Sequence, residues 1–311
     1  MILNVKNSVI FNQRKIWVHN KKKNTQTNNN MTNLNEIEEK FIETNGINLH
    51  TIFIGEGPPL VLLHGFPDFW YGWKSVIPEL KHFYTLIIPD LRGYNLSDKP
   101  KGVENYIIEI LIEDIKGLIE VLGHKAVYLA GHDWGGIIAW ALAEKYPTLV
   151  KKLAILNAPH MKVFQKKLLE DKDQQKASYY VFEFLKPNGE QLALKDNYKW
   201  LKWAVFSGKN ENFTEEDKQK YIGAWSHPNA VVSGVNYYRA NTSFKNWSGI
   251  IMVPTLVIHG MKDVAVLPGV LEGIDQYVKD LEIVKAEKSS HWVMYDEPEL
   301  VANQFKNFFK D

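Results

Sequence analysis

The run Gly131-His132-Asp133-Trp134-Gly135-Gly136 constrains this chain more than any other stretch. It follows a short apolar segment, Val127-Tyr128-Leu129-Ala130, and leads into a helical run from Ile137 to Tyr146. A strand that turns at once into a helix, with small residues two places either side of a polar tip, reads as a nucleophile elbow. The turn is tight enough that side chains at Gly131 and Gly135 have no room. The serine usual at the tip is replaced by Asp133. The plain alternative is a glycine-rich turn with Asp133 as a helix N-cap.

Such an elbow belongs in a sheet buried on both faces, and the chain supplies one. Leu60 to Leu63, Thr85 to Pro89, Val127 to Ala130, Leu153 to Leu156, Thr255 to Ile258 and Leu281 to Val284 are continuous apolar runs, as in strands of a parallel sheet. Phe41 to Thr44 and Leu49 to Ile54 read as an opening hairpin turned by Asn45-Gly46. Between the runs lie helical patterns, the clearest from Ile107 to Leu122. Strand–helix alternation predicts a doubly wound α/β sheet. It stops between about His160 and Trp247, a stretch rich in aromatics and free of strand runs. The expected organisation is a tail over 1–35, a core over 36–159 and 248–311, and a helical lid over 160–247. No internal repeat is visible.

Composition removes several classes of function. The 311 residues carry a formal net charge of +1, which gives no basic field for nucleic acid. There is no cysteine, so disulfides, thiolate metal sites and thiol nucleophiles are excluded. No apolar run reaches the roughly 18 residues of a membrane span, and Asn4 and Lys6 interrupt any secretory apolar segment at the start. A cytoplasmic location is expected. Residues 1–35 hold six Lys/Arg, no acid, and a nearly pure Asn/Thr/Gln stretch from Asn24 to Asn30. They are expected to be a disordered, dispensable tail, with Met31 an alternative start.

An aspartate nucleophile narrows the reaction. Serine attack on a saturated carbon gives an ether that water cannot open. Carboxylate attack gives an alkyl ester, whose carbonyl water can attack, so the enzyme turns over. Asp133 therefore points to epoxides or alkyl halides and away from esters and amides. His64-Gly65-Phe66-Pro67, directly after an apolar strand, is a candidate oxyanion loop. The N–H groups of Phe66 and Trp134 are expected to receive the oxyanion. Ser289-Ser290-His291-Trp292 follows the last strand, and His291 is the expected general base by order and place. Its orienting acid is expected to be Asp263, on the loop after the preceding strand. Glu272 and Asp275 are weaker candidates, expected within the next helix. His160, His227 and His259 are read as structural. His64, Phe66, Trp134 and Trp292 are expected to wall the substrate pocket. No metal cluster or phosphate-cradling loop appears, so neither metal nor cofactor is expected.

From about residue 36 onward the chain resembles the epoxide hydrolase branch of the α/β-hydrolase family. The matching pieces are His64 to Pro67, Asp90-Leu91-Arg92-Gly93-Tyr94 with Ser97-Asp98, Gly131 to Gly136, Gly260 to Asp263, and Ser290-His291-Trp292. The resemblance implies an α/β-hydrolase fold, a mostly parallel twisted sheet flanked by helices with an inserted helical cap. It implies Asp133 as nucleophile, Asp263 and His291 as the charge pair, and a lid with two tyrosines. Those tyrosines map onto Tyr180 and Tyr238, with Tyr179 and Tyr237 as adjacent competitors. A phenol of pKa about 10 can protonate the alkoxide that ring opening generates. Asn95 departs from the family's usual Gly, and Asn tolerates a left-handed backbone there.

The expected reaction is therefore conversion of a small apolar epoxide to a vicinal diol. Haloalkane dehalogenases are also similar, but many supply a halide donor from an Asn at the position of Phe66. Fluoroacetate dehalogenases depart from the chain at Asp133-Trp134, Tyr180-Val181 and Asn157. A ligand-binding pseudoenzyme is the alternative of another class. The preferred epoxide, and whether the chain forms a homo-oligomer, stay open.

Overall fold

The computed structural model describes residues 36–207, 213–244 and 246–310, and the backbone of one earlier strand, β1 (Trp17–Val18). The core begins with β2 (Glu38–Thr44) and β3 (Ile47–Ile54), paired Thr44 to Ile47 across Asn45-Gly46. Both turn residues have positive φ, 46° and 76°, the backbone that a two-residue hairpin with right-handed twist requires. There follow β4 (Pro59–Leu63), α1 (Ile77–Leu80), β5 (Thr85–Pro89), α2 (Ile108–Val121), β6 (Val127–His132), α3 (Trp134–Lys145) and β7 (Val150–Leu156). Six helices come next: α4 (Met161–Glu170), α5 (Lys172–Ala177), α6 (Tyr179–Leu185), α7 (Gln191–Phe206), α8 (Glu215–Ser226) and α9 (Ala230–Ala240). The chain closes with β8 (Thr255–Gly260), β9 (Leu281–Ala286), α10 (Val293–Asp296) and α11 (Pro298–Phe308).

The sheet order is β1-β2-β3-β5-β4-β6-β7-β8-β9. Pairing is antiparallel from β1 through β3 to β5 and parallel from β5 to β9. Strands β6 and β8 are buried along their whole length, which is why their sequences are continuous rather than alternating. The core side chains of α2, from Ile108 to Ile119, are buried at helical spacing.

Helices α4 to α9 all lie between β7 and β8 and close over the C-terminal ends of the strands. They are tied there by polar bonds to main chain. Trp225 Nε1 donates to Pro67 O at 2.6 Å, and Tyr237 Oη donates to Arg92 O at 2.6 Å. Among the described residues, no helix is long and apolar enough to cross a membrane.

One expectation needs correction. Glu272 and Asp275 do not sit in an α-helix. The segment holds two short 3-10 turns, Pro268–Leu271 and Ile274–Gln276, separated by Gly273 at φ 87°. Pro268, Gly269 and Gly273 within six residues break the helical pattern. The tail reading falls mostly outside the described residues, and where it does not, Trp17–Val18 pairs with Phe41 and Lys40 of β2.

Candidate active site

The elbow forms where β6 ends and α3 begins. Asp133 stands at the junction with φ 50° and ψ −123°, a backbone that costs energy for a non-glycine residue. Crowding explains the glycines around it. A Cβ on Gly131 would lie 2.3 Å from Gly135 O, and one on Gly135 2.3 Å from Leu63 O. A Cβ on Gly136 would meet Ala158 Cβ at 2.3 Å. Gly65 leaves room for the Asp133 side chain, since a Cβ there would stand 2.3 Å from that of Asp133.

Phe66 N–H donates to Asp133 Oδ1 at 2.7 Å. Trp134 opens α3, so its N–H is among those without an intrahelical acceptor. The positive end of α3 also favours negative charge at this point. His64 lies beneath this loop rather than on an open pocket wall. It is fully buried, its Nε2 accepts Leu91 N–H at 3.0 Å, and its Nδ1 reaches Gly65 O at 2.9 Å. Burial lowers its pKa, against the pull of Asp90, so the neutral ring props the loop from behind.

On the other side of Asp133, His291 Nε2 faces Oδ2 at 3.6 Å. His291 Nδ1 meets Asp263 Oδ2 at 2.8 Å. Burial disfavours the imidazolium, but the Asp263 and Asp133 carboxylates outweigh it and push His291 up to about 10. Burial alone would raise Asp263, yet the His291 charge holds it down at about 2. The other Asp263 oxygen accepts Ala265 N–H at 2.8 Å and Val266 N–H at 2.9 Å. Trp292 packs edge-on against His291 and donates its indole N–H to Ala204 O at 3.0 Å.

Helices α6 and α9 bring two phenols to this group. Tyr238, on α9, packs perpendicular to Trp134 with ring centres 5.1 Å apart, and to Phe66 at 5.6 Å. The Trp134 indole hydrogen-bonds to it. Tyr180, on α6, lies 5.9 Å away ring to ring and shares a hydrogen bond with Tyr238. Burial raises both phenols above their ordinary range, and the Asp133 charge adds to the effect. Both therefore hold their protons at neutral pH. The adjacent tyrosines are engaged elsewhere. Tyr237 donates to Arg92 O, and exposed Tyr179 accepts the Trp200 indole N–H at 2.8 Å.

Comparison with known proteins decides the family. The model of the alpha/beta hydrolase fold family matches residues 58–298. The chain is 36% identical over 279 residues to the AB hydrolase superfamily protein YfhM of Bacillus subtilis, covering 88% of this chain and 98% of that one. It is 32% identical to Epoxide hydrolase 2 of Caenorhabditis elegans, over 88% of this chain and 80% of the relative. A crystal structure of a Bacillus megaterium epoxide hydrolase in complex with an inhibitor superposes with a TM-score of 0.82 at 35% identity, covering 87% of this chain and 100% of that one. The chain belongs to the α/β-hydrolase fold family, in its epoxide hydrolase branch.

Two neighbours of the site in this α/β-hydrolase were given no role there by sequence. Asn157, just after β7 at φ 41°, donates its side-chain N–H to Asp263 Oδ2 at 2.8 Å and accepts Gly260 N–H at 3.2 Å. It fixes the carboxylate that orients His291. His132 lies 4.7 Å from His291 ring to ring, and its Nε2 meets His291 O at 2.9 Å. Burial drives His132 down to about 3, so it packs there uncharged. Its place inside the elbow motif was the signal available.

The remaining histidines and acids sit apart. His160 bonds Gly249 O at 2.9 Å and His259 bonds Val266 O at 3.0 Å, while His227 caps the end of α8. Glu272 is exposed and paired with Lys167 at 2.7 Å. Asn95 takes φ 40° and donates to Asp90 at 2.7 Å. Among the described residues, no cluster of ligands could hold a metal ion.

Proposed function

We propose that this chain adds water to an epoxide through an alkyl ester on Asp133. The observation that carries the reading is the pair of proton-bearing phenols, Tyr180 and Tyr238, over a buried carboxylate that faces a histidine. The Asp133 carboxylate attacks one epoxide carbon and the C–O bond breaks. The alkoxide takes a proton from Tyr238 or Tyr180. Neutral His291 then accepts a proton from water, and the hydroxide adds to the ester carbonyl. The Phe66 and Trp134 N–H groups receive the resulting oxyanion. Its collapse expels the second diol oxygen, which takes the remaining water proton, and leaves one water oxygen on Asp133, while the proton on His291 passes back to the phenolate.

In this reading residues 160–247 form the cap that delivers the phenols, and the core over 36–159 and 248–311 carries the nucleophile, acid and base. The rings of Phe66, Trp134, Phe184 and Tyr238 pack against one another around the site, edge to face except for the tilted Phe184–Tyr238 pair, which suits a small apolar epoxide. The mechanism draws on no cofactor and no nucleic acid. The chain acts in the cytoplasm.

The test is a panel of epoxides and alkyl halides assayed side by side with the full chain. Styrene oxide should yield diol, and the halides should release no halide. Halide release without diol formation would sink the proposal in favour of dehalogenation. No turnover of either class would favour a ligand-binding protein.

A further inference from the structure

The turn that carries the Phe66 N–H is held by a residue outside the mechanism above. Asp68 donates its N–H to Gly65 O at 3.0 Å and is 2% exposed. Its Oδ1 accepts Phe69 N–H at 2.8 Å and the Tyr221 hydroxyl at 2.8 Å. Tyr221 belongs to α8 of the lid, and its hydroxyl meets that of Tyr295 at 2.5 Å. Tyr295 lies in α10, four residues beyond His291. One turn of helix further along α8, Trp225 binds Pro67 O. The oxyanion loop and α8 thus meet at one carboxyl group, and the His291 segment joins them through the Tyr221 hydroxyl.

The second oxygen of that group is the anomaly. Asp68 Oδ2 is buried and has no hydrogen-bond partner among the described residues, and the same holds for Tyr94 Oη. Both residues border one small cavity between the loop and helices α8 and α9, together with Phe66, Pro67, Trp225 and Val231. The room there for a water's centre is about 10 Å³, and one water needs about 10–15 Å³ so measured. Two buried polar atoms without partners, on two residues that border the same cavity, are costly unless something bonds to them. Gly72 keeps the space for the carboxyl, since a Cβ there would stand 1.8 Å from Asp68 Oδ2.

We propose that this cavity binds one water between Asp68 and Tyr94, and that Asp68 is a positioning residue that ties the Phe66 N–H to the lid and to the His291 segment. The inference rests on the epoxide hydrolase reading and deepens it. The titratable groups around Asp68 are Tyr221 of α8, Tyr295 of α10, Tyr94, Asp133 at the elbow and Asp90 after β5. Burial raises Asp68 to about 7, the Phe69 N–H and Tyr221 pull it down, and the charges of Asp133 and Asp90 push it up. Asp68 therefore titrates in the neutral range, where the network it joins can be read.

Three measurements on the full chain test this. Infrared spectra against pH should contain a protonated-carboxyl band that disappears near pH 7 in the wild type and is missing from Asp68→Asn. Tyr221→Phe removes a donor that lowers Asp68, so the same band should titrate at higher pH. In single turnovers with styrene oxide, Asp68→Asn should slow ester hydrolysis by about 10-fold or more, the scale of a misplaced oxyanion donor, with the alkylation rate within about 2-fold. A crystal structure should show one water between Asp68 Oδ2 and Tyr94 Oη, and a dry cavity would overturn the water site. Wild-type hydrolysis and an unchanged pH profile in Asp68→Asn would overturn the positioning role. If Asp68→Asn fails to fold, Tyr221→Phe decides, since a band that does not move counts against the proposal. Absence of diol from the wild type would instead count against the epoxide reading, while the infrared titration still reports on Asp68.

Discussion

His291 stands between two carboxylates, with Nδ1 2.8 Å from Asp263 and Nε2 3.6 Å from Asp133. Its charge depends on both. Burial opposes the imidazolium, but the two acids together raise it to about 10. A general base has to be neutral. Esterification of Asp133 removes one of the two negative charges, so the imidazole loses its proton more readily at the stage when water must be activated.

Asp133→Asn mimics that loss of charge at nearly the same shape. His291 should titrate at lower pH in this variant than in the wild type, by NMR of the ring protons. Linkage gives a second readout. The folded pKa, about 10, lies above the ordinary 6.5. The charge cluster therefore stabilises the fold fully below about 6.5, and that contribution is lost as pH rises toward about 10. Asp133→Asn should lose less stability across this window in denaturant titrations. An unchanged His291 titration would show that Asp133 does not act on it.

His291→Gln should separate the two half-reactions. Alkylation of Asp133 needs no base, whereas hydrolysis of the ester does. Incubated with an epoxide, this variant should gain the mass of the whole epoxide on the peptide containing Asp133. An alkyl halide would add its alkyl group without the halogen. In ¹⁸O water, one turnover of the wild type should label Asp133 and leave the first diol unlabelled. Label in the diol alone would mean direct attack by water, and the nucleophile assignment would fall.

The strands were legible because burial on both faces writes them as apolar runs. Thr85–Pro89 is a strand over the full span expected of it, and the hairpin turn follows from Asn45-Gly46 alone. The elbow was legible because glycines forced by crowding leave a fixed spacing around Asp133. Chain order pointed to Asp263 and His291. What sequence hid were contacts between distant segments. Asn157 and Asp263 are 106 residues apart, and nothing local marks Asn157 as a partner. Asp68 and Tyr221 are separated by 153. Helical register was hidden as well, since only packing commits Tyr237 to Arg92 O and turns Tyr238 toward Trp134. The segment after β8 misled because its apolar residues have helical spacing, while Pro268 and two glycines forbid the helix.

The lid tyrosines should matter for epoxides specifically. Tyr238→Phe keeps the ring that packs on Trp134 and Phe66 and removes the proton donor. It should slow epoxide opening about 10-fold or more, at the low end of general-acid effects because a second phenol is present. Tyr180→Phe should act in the same direction and less strongly, and the double change more than either. Stopped-flow tryptophan fluorescence would follow alkylation directly. Unaltered opening in the double variant would remove the phenols from the mechanism.

The elbow makes a prediction about stability and activity together. A Cβ at Gly135 would lie 2.3 Å from Leu63 O and 2.4 Å from His64 O. Both are main-chain atoms, one at the end of β4 and one in the oxyanion loop, so neither can swing aside as a side chain could. Gly135→Ala should cost about 1–3 kcal/mol of stability, the usual range for overpacking. It should also pull the Phe66 N–H away from Asp133 and so lower turnover. Gly223 is the control. It lies within α8, and a Cβ there would meet nothing within 4 Å. Gly223→Ala should hold stability or raise it by about 0.5–1 kcal/mol through helix propensity, with turnover unchanged. Urea midpoints and diol formation measured on both variants give the comparison. If Gly135→Ala matches the wild type in both, the close approach of α3 to the oxyanion loop is not what holds the nucleophile, and crowding no longer explains the glycines around Asp133.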